Sequence, residues 1–270
     1  MQRSTHFDML ERLERGIREL TTSDRWAEFL RVQATFRQYS HRNALLIAQQ
    51  CPHAEYVAGF GAWRRLGRSV RRGERAIWIL APTGNRISGT DEEQARPVRF
   101  VSVPVFDISQ TEGLALPEIC SRLNEQHGDD AYIHLSKIAV ELGFTPTLVE
   151  LDHGVNGECN FTTRAIGIER RNGSAQRVKS LAHELAHALL HEHATDRSRA
   201  ELEAESAAYV ICQLLGIDSG QYSFGYVASW IGDGSKAVEA IHRSCDEITR
   251  VVNEVMMRYE RLARSTCDVA

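Results

Sequence analysis

No stretch of the sequence is apolar over the roughly 20 residues that a helix needs to cross a bilayer, so no membrane-spanning helix is expected. The opening segment, MQRSTHFDMLERLERGIREL, is charged and amphipathic rather than apolar. It does not read as a secretory signal, and a cytoplasmic setting is expected. The six cysteines include no CxxC pair, which excludes a zinc knuckle and a dithiol redox motif and leaves reduced, mostly buried thiols as the expectation. There is no internal repeat and no low-complexity tract. Lysine is scarce, with 3 residues against 29 arginines.

What remains is the composition of an ordinary globular protein, 43% hydrophobic and 25% charged. At 270 residues and about 150 per domain, two domains are expected. A net charge of -4 hides an uneven distribution: residues 1–110 sum to +5 and residues 111–270 to -9. The basic half is the better partner for a polyanion.

Apolar spacing predicts helices over 3–20 and 24–49, the second carrying Trp26, Phe29, Leu30 and Phe36 on one side. Beyond Pro52 the pattern turns to β-rich runs, 76–82 and 98–106, around a polar loop. Residues 107–117 lack periodicity and contain Gly and Pro, so they read as a linker, dividing the chain into 1–115 and 116–270. The second part should hold a helix near 130–143, a strand at 145–151, and a hairpin through CNFTT and AIGIE. Helices follow at 173–193, 198–215, 224–231 and 235–264. The fold class is therefore α+β: helices with a small sheet, then a domain in which a small sheet precedes helices.

The informative segment is SLAHELAHALLH, residues 180–191. Four residues apart on a helix, His183 and His187 share a face and can offer two imidazole nitrogens to one ion, with Glu184 beside it. Zinc suits such a set, and its bound water would lose a proton to a nearby carboxylate at neutral pH. Glu184 is the candidate general base. The flanks lack Pro and Gly and continue the helix that this geometry needs. A bland alternative is two histidines and a glutamate on a wet helix face. For the third ligand, Glu205 falls within the inward stripe of the acidic helix 199–216 and is the first choice; Glu201, one turn earlier, is the second. Glu203 is expected to point into solvent. His191 and His193 are expected to end the helix, where the dipole favours positive charge, rather than to form a three-histidine site.

HELAHALLH followed by EAESAAY resembles the ImmA/IrrE-type zinc peptidase domain, whose third ligand is a later-helix Glu that Glu205 matches best. In the first half, YSHRNALLI (39–47), GFGAWRRLGRSVRRGERAIWILAP (59–82) and VFDISQTEG (105–113) resemble the N-terminal single-stranded-DNA-binding domain of ArdC-type antirestriction proteins. That family joins this domain to a C-terminal metallopeptidase. The resemblance implies a zincin-like domain with an HExxH helix, a Zn2+ cofactor, and a setting of plasmid entry and protection from restriction.

Read from its residues alone, the first half carries Arg64, Arg65, Arg68, Arg71, Arg72 and Arg75 opposed only by Glu74, with Trp63 and Trp78 on the flanks. Guanidinium groups neutralise phosphates and indole faces stack on unpaired bases without reading sequence. The alternative is that both tryptophans are core, and Tyr39 and Asn43 are equally suited to packing. The leading expectation is a zinc-dependent endopeptidase with an unidentified protein substrate, tethered to single-stranded DNA. A second is a non-catalytic protein that shields the strand and uses metal to fold. A third is a peptidase whose first domain contacts protein.

Overall fold

In a computed structural model of the chain, residues 20, 23–83, 99–115, 128–218 and 235–267 are described. The described part is α+β, with seven α-helices and three small sheets. It divides into two compact units: residues 42–115 form one, and the preceding helical segment joins residues 128 onward in the other. The helix expected at 3–20 and the short one at 224–231 lie outside the described residues.

The single helix expected over 24–49 is two, α1 (Ser23–Thr35) and α2 (His41–Gln50). The break falls where Phe36 turns into the core, 2% exposed, and Ser40, a residue type that favours helix starts, precedes the second helix. In the first unit α2 is followed by β1 (Val57–Ala58), α3 (Phe60–Arg65), β2 (Arg68–Val70), β3 (Ile77–Thr83), β4 (Arg99–Asp107) and β5 (Thr111–Gly113). Strands β3 and β4 pair antiparallel with Ile77 opposite Val105, and β1 pairs with the other edge of β4. Ile77, Ile79 and Val105 alternate onto one buried face.

The free edge of β3 is closed by side chains. Asn43 Nδ2 donates to the Leu80 carbonyl at 2.8 Å and its Oδ1 accepts from the Leu80 amide at 2.8 Å. Two helical turns on, Gln50 makes the same pair with Trp78, at 2.8 and 3.0 Å. The two amides thus stand in for a neighbouring strand and satisfy an edge that would otherwise recruit another chain. Most of the segment expected as a linker is ordered: Ile108–Gln110 is a short 3-10 helix capped by Asp107, and β5 pairs with β2.

The second unit holds α1, α4 (Gly128–Glu141), β6 (Thr145–Val149), β7 (Gly157–Asn160), β8 (Ala165–Glu169), α5 (Ser174–Leu190), α6 (Arg197–Leu214) and α7 (Ser235–Cys267). Strand β8 is central, parallel to β6 and antiparallel to β7, so the expected hairpin exists and β7 is an edge. Ile166 and Ile168 on β8 are fully buried, as are Leu135 and Ile138 on α4 and Val178, Leu181 and Leu185 on α5. Helix α6 is packed by α1, α5 and α7, and its small residues Ala204, Ser206, Ala207 and Ala208 are fully buried. Trp26 of α1 donates its indole N–H to Ser206 Oγ at 2.8 Å, which satisfies a hydroxyl that would be costly to bury alone. Among the described residues no helix is long and apolar enough to cross a membrane.

Candidate metal centre

Helix α5 is built from Leu and Ala on its inner side, and its next face carries His183 and His187, both half-buried. Helix α6 begins at Asp196, whose carboxylate accepts from the Arg199 amide at 3.1 Å, and runs along α5 with Glu201 and Glu205 one turn apart. The Nε2 atoms of the two histidines are 3.0 Å apart. Glu201 Oε2 lies 3.4 Å from His183 Nε2 and 3.7 Å from His187 Nε2. Nitrogen or oxygen donors about 2.05 Å from a tetrahedral ion would be separated by roughly 3.3 Å. The three atoms bracket that spacing, so the donor set fits a divalent cation both in chemistry and in size.

Sequence reasoning preferred Glu205 to Glu201, whereas the donor atoms that lie together in the structure are those of His183, His187 and Glu201. Glu205 Oε2 is 3.2 Å from His183 Nδ1, the nitrogen facing away from the cluster, and Oε1 is 2.9 Å from Lys179 Nζ. A carboxylate in contact with the outer nitrogen of an imidazole can fix the orientation of the ring. Choosing between two glutamates on one face requires the axial offset of α5 and α6, which neither helix's periodicity contains.

Electrostatics follow from the same contacts. Burial disfavours a charged His183, but hydrogen bonds to Glu201 and Glu205 outweigh it and raise its pKa to about 9. Burial lowers the pKa of His187 despite its contact with Glu201. Hydrogen bonds from both histidines hold the Glu201 carboxyl well below the usual range. Glu184 is 6% exposed. Burial pushes its pKa up to about 7, the positive His183 ring opposing and Glu201 and Glu158 adding to the rise. A carboxyl poised near neutrality is what proton exchange requires.

The seat of Glu184 depends on a glycine that sequence reasoning did not single out. A Cβ on Gly157, in edge strand β7, would stand 2.7 Å from Glu184 Oε1 and 3.1 Å from its Cγ. The strand therefore lies against the carboxylate only because that position lacks a side chain.

One expectation about a neighbouring residue is also corrected. Glu203, expected in solvent, is 4% exposed, and His191, although it caps α5 as expected, is 9% exposed. His191 Nδ1 lies 2.9 Å from His187 Nδ1, and His191 Nε2 lies 3.1 Å from Glu203 Oε2. Four-residue spacing from His187 was a signal for the first contact; the second joins separate helices.

In the first unit the arginines divide. Arg68 is tied to Thr111 and Leu114, and Arg71 to Glu74 and the Ser109 carbonyl, so both brace β5 and the turn before it. Arg64, Arg65, Arg72 and Arg75 are exposed. The stacking role expected of Trp63 is corrected: it is 0% exposed, and its indole N–H donates to the Phe106 carbonyl at 2.9 Å. Among the described residues of this unit, Phe60 and Phe100 are 52% and 46% exposed and present aromatic faces. Asn43, left open between packing and contact, is committed to β3.

Comparison with known proteins matches two family models to successive parts of the chain. Residues 6–106 match the family model "N-terminal domain of anti-restriction factor ArdC", and residues 137–212 match the peptidase family M78 model, "IrrE N-terminal-like domain". The chain thus carries an ArdC N-terminal domain followed by an IrrE-like domain. An uncharacterized protein of Bacillus anthracis designated pXO2-81 is 25% identical across 87% of this chain. The match takes in 49% of that relative, so the chain spans about half its length. The crystal structure of antirestriction protein ArdC from plasmid R388 in its Mn(II)-bound form has a TM-score of 0.52 and 21% identity, covering 82% of this chain and 89% of that one. The metal-free structure of the same protein also gives 0.52, at 19% identity over 83% and 86%. These two likenesses establish the fold.

Gly157→Ala is expected to destabilise the protein by about 1–3 kcal/mol through overpacking against Glu184. In a Glu184→Ala background the same substitution should cost much less, because the obstructing carboxylate is gone. Denaturant unfolding of the four proteins measures this coupling, and additive costs would contradict the described contact.

Proposed function

We propose that this chain is a cytoplasmic antirestriction protein of ArdC type that binds single-stranded DNA through its first unit and hydrolyses a peptide bond at a divalent-metal centre in its second. One observation carries the reading: His183 Nε2, His187 Nε2 and Glu201 Oε2 converge at 3.0–3.7 Å while Glu184 sits buried beside them. Those three side chains are the proposed metal donors, and Glu205 and Lys179 orient His183. Two imidazoles and one carboxylate suit zinc, the cation assigned here, and such donors also accept manganese. Mn(II) occupies one of the R388 ArdC structures.

When bound, a divalent ion supplies Lewis acidity, acidifying water and polarising a carbonyl. The protein's own part is proton handling and placement. Glu184 accepts the proton of the attacking water on its carboxylate and delivers it to the departing amine nitrogen. The absence of a side chain at Gly157 keeps that carboxylate where it can do so. A purely structural metal site would have no use for a buried carboxylate in this position, which favours the enzyme over a strand-shielding protein whose metal only aids folding.

For DNA, the reading rests on the match of residues 6–106 to the ArdC N-terminal family model and on the exposed arginines. Arg64, Arg65, Arg72 and Arg75 supply charge that neutralises phosphates, and Phe60 and Phe100 supply faces on which bases can stack. Such a surface binds strands with little regard to sequence.

Two experiments test the two halves. Glu184→Gln should keep its metal and lose peptide cleavage by about 100-fold or more, measured on a degenerate peptide library with metal analysis of the same preparation. Cleavage at the parent rate would remove Glu184 from the chemistry. Changing Arg64, Arg72 and Arg75 together to Ala should weaken single-strand binding and flatten the dependence of log K on log salt by roughly 0.7 per lost contact. An unchanged slope would place the strand elsewhere.

A further inference from the structure

Behind His187 lies a buried chain of bonds that the proposed chemistry does not use. His187 Nδ1 faces His191 Nδ1 at 2.9 Å, and His191 Nε2 faces Glu203 Oε2 at 3.1 Å. The far carboxylate oxygen, Glu203 Oε1, accepts from Ser244 Oγ at 2.6 Å and from Arg199 Nε at 2.6 Å. His191, Glu203 and Ser244 are 9%, 4% and 0% exposed. Elements α5, α6 and α7 all contribute, so the chain of bonds is fixed by tertiary packing and not by one flexible loop.

A neutral imidazole carries one proton, and its position decides which nitrogen can donate a lone pair. For His187 to offer Nε2 to a cation, its proton must be on Nδ1. That Nδ1–H then points at His191 Nδ1, which must be bare to accept it. His191 consequently carries its proton on Nε2, where the Glu203 carboxylate accepts. Each group has one consistent role, and the order is set from the far end. Glu203 is an acceptor only when ionised, and Arg199 and Ser244 spend their hydrogens on its other oxygen. Without the carboxylate, His191 is free to place its proton on Nδ1. That would force the His187 proton onto Nε2, the atom that should bind the ion.

The geometry points to His191 and Glu203 as positioning residues that hold His187 in its metal-binding tautomer, the counterpart for His187 of what Glu205 does for His183. This rests on the reading of His187 as a metal donor, and its test separates the two. Outer partners of this kind are worth about 10–100-fold in metal affinity.

The experiment measures zinc and manganese dissociation constants of the full chain by competition with a chromophoric chelator, alongside melting of the metal-free protein. His191→Phe keeps a ring but accepts no hydrogen bond, and should weaken both metals by about 10–100-fold. His191→Asn returns an oxygen near the position of the lost Nδ1 and should bind within a few-fold of the parent. A role confined to packing would lower the metal-free melting temperature of both variants without this difference in affinity. Parental affinity in His191→Phe, or equal losses in the two variants, would overturn the proposal while leaving the metal centre intact. Undiminished affinity in His187→Ala would instead overturn the metal centre, and the proposal with it. A readout needing no variant is the nitrogen-15 spectrum of the metal-free parent at alkaline pH: protons on His187 Nδ1 and His191 Nε2 are expected, and the opposite tautomers would refute the arrangement.

Discussion

The site depends on the axial register between α5 and α6. Each helix alone offers only a row of polar groups one turn apart: His183, His187 and His191 on one, Glu201 and Glu205 on the other. Sliding one helix past the other by a single turn would exchange the parts of the two glutamates. What resists such sliding is close packing around α6, whose Ala204, Ser206, Ala207 and Ala208 are fully buried among three helices. The indole of Trp26 locks the hydroxyl of Ser206. Small residues leave no slack in which a helix can shift, so the positions of the charged groups follow from the apolar packing.

Around that register the polar groups are arranged in layers. Nε2 atoms and one Glu201 oxygen face inward, while the two Nδ1 atoms are each met by a further group, Glu205 for His183 and His191 for His187. Buried carboxylates are expensive unless each finds a positive or donating partner. Here Glu205 has Lys179 and Glu203 has Arg199 and Ser244, while the more exposed Glu201 has both histidines. Glu184 is the carboxyl that burial pushes upward, to about 7. One helix pair thus holds carboxylates shifted in opposite directions, as separate tasks demand.

Much of this was legible in the sequence because it is local. The i, i+4 spacing of His183 and His187, the Leu and Ala flanks, and the alternation in β3 and β4 are periodic signals that tertiary context did not override. The order of sheet before helix was also readable. The parts that sequence reading missed are those decided between elements. Trp63 sits beside arginines in the chain yet inside the unit in space, because its N–H has a carbonyl partner on β4. Which of Glu201 and Glu205 meets the Nε2 atoms of the histidines depends on helix offset. Glu203 looked solvated because its partners, His191 and Ser244, come from helices on either side in the sequence. The break between α1 and α2 was hidden because apolar spacing continues through Phe36, which packs inward from a turn.

The most direct test is a crystal structure of the chain grown with zinc or manganese, with the ion located by its anomalous scattering. The account predicts one ion about 2.0–2.2 Å from His183 Nε2, His187 Nε2 and Glu201, with Glu205 still on the outer nitrogen of His183. An ion held by Glu205 in place of Glu201, or one bound away from the two histidines, would contradict it.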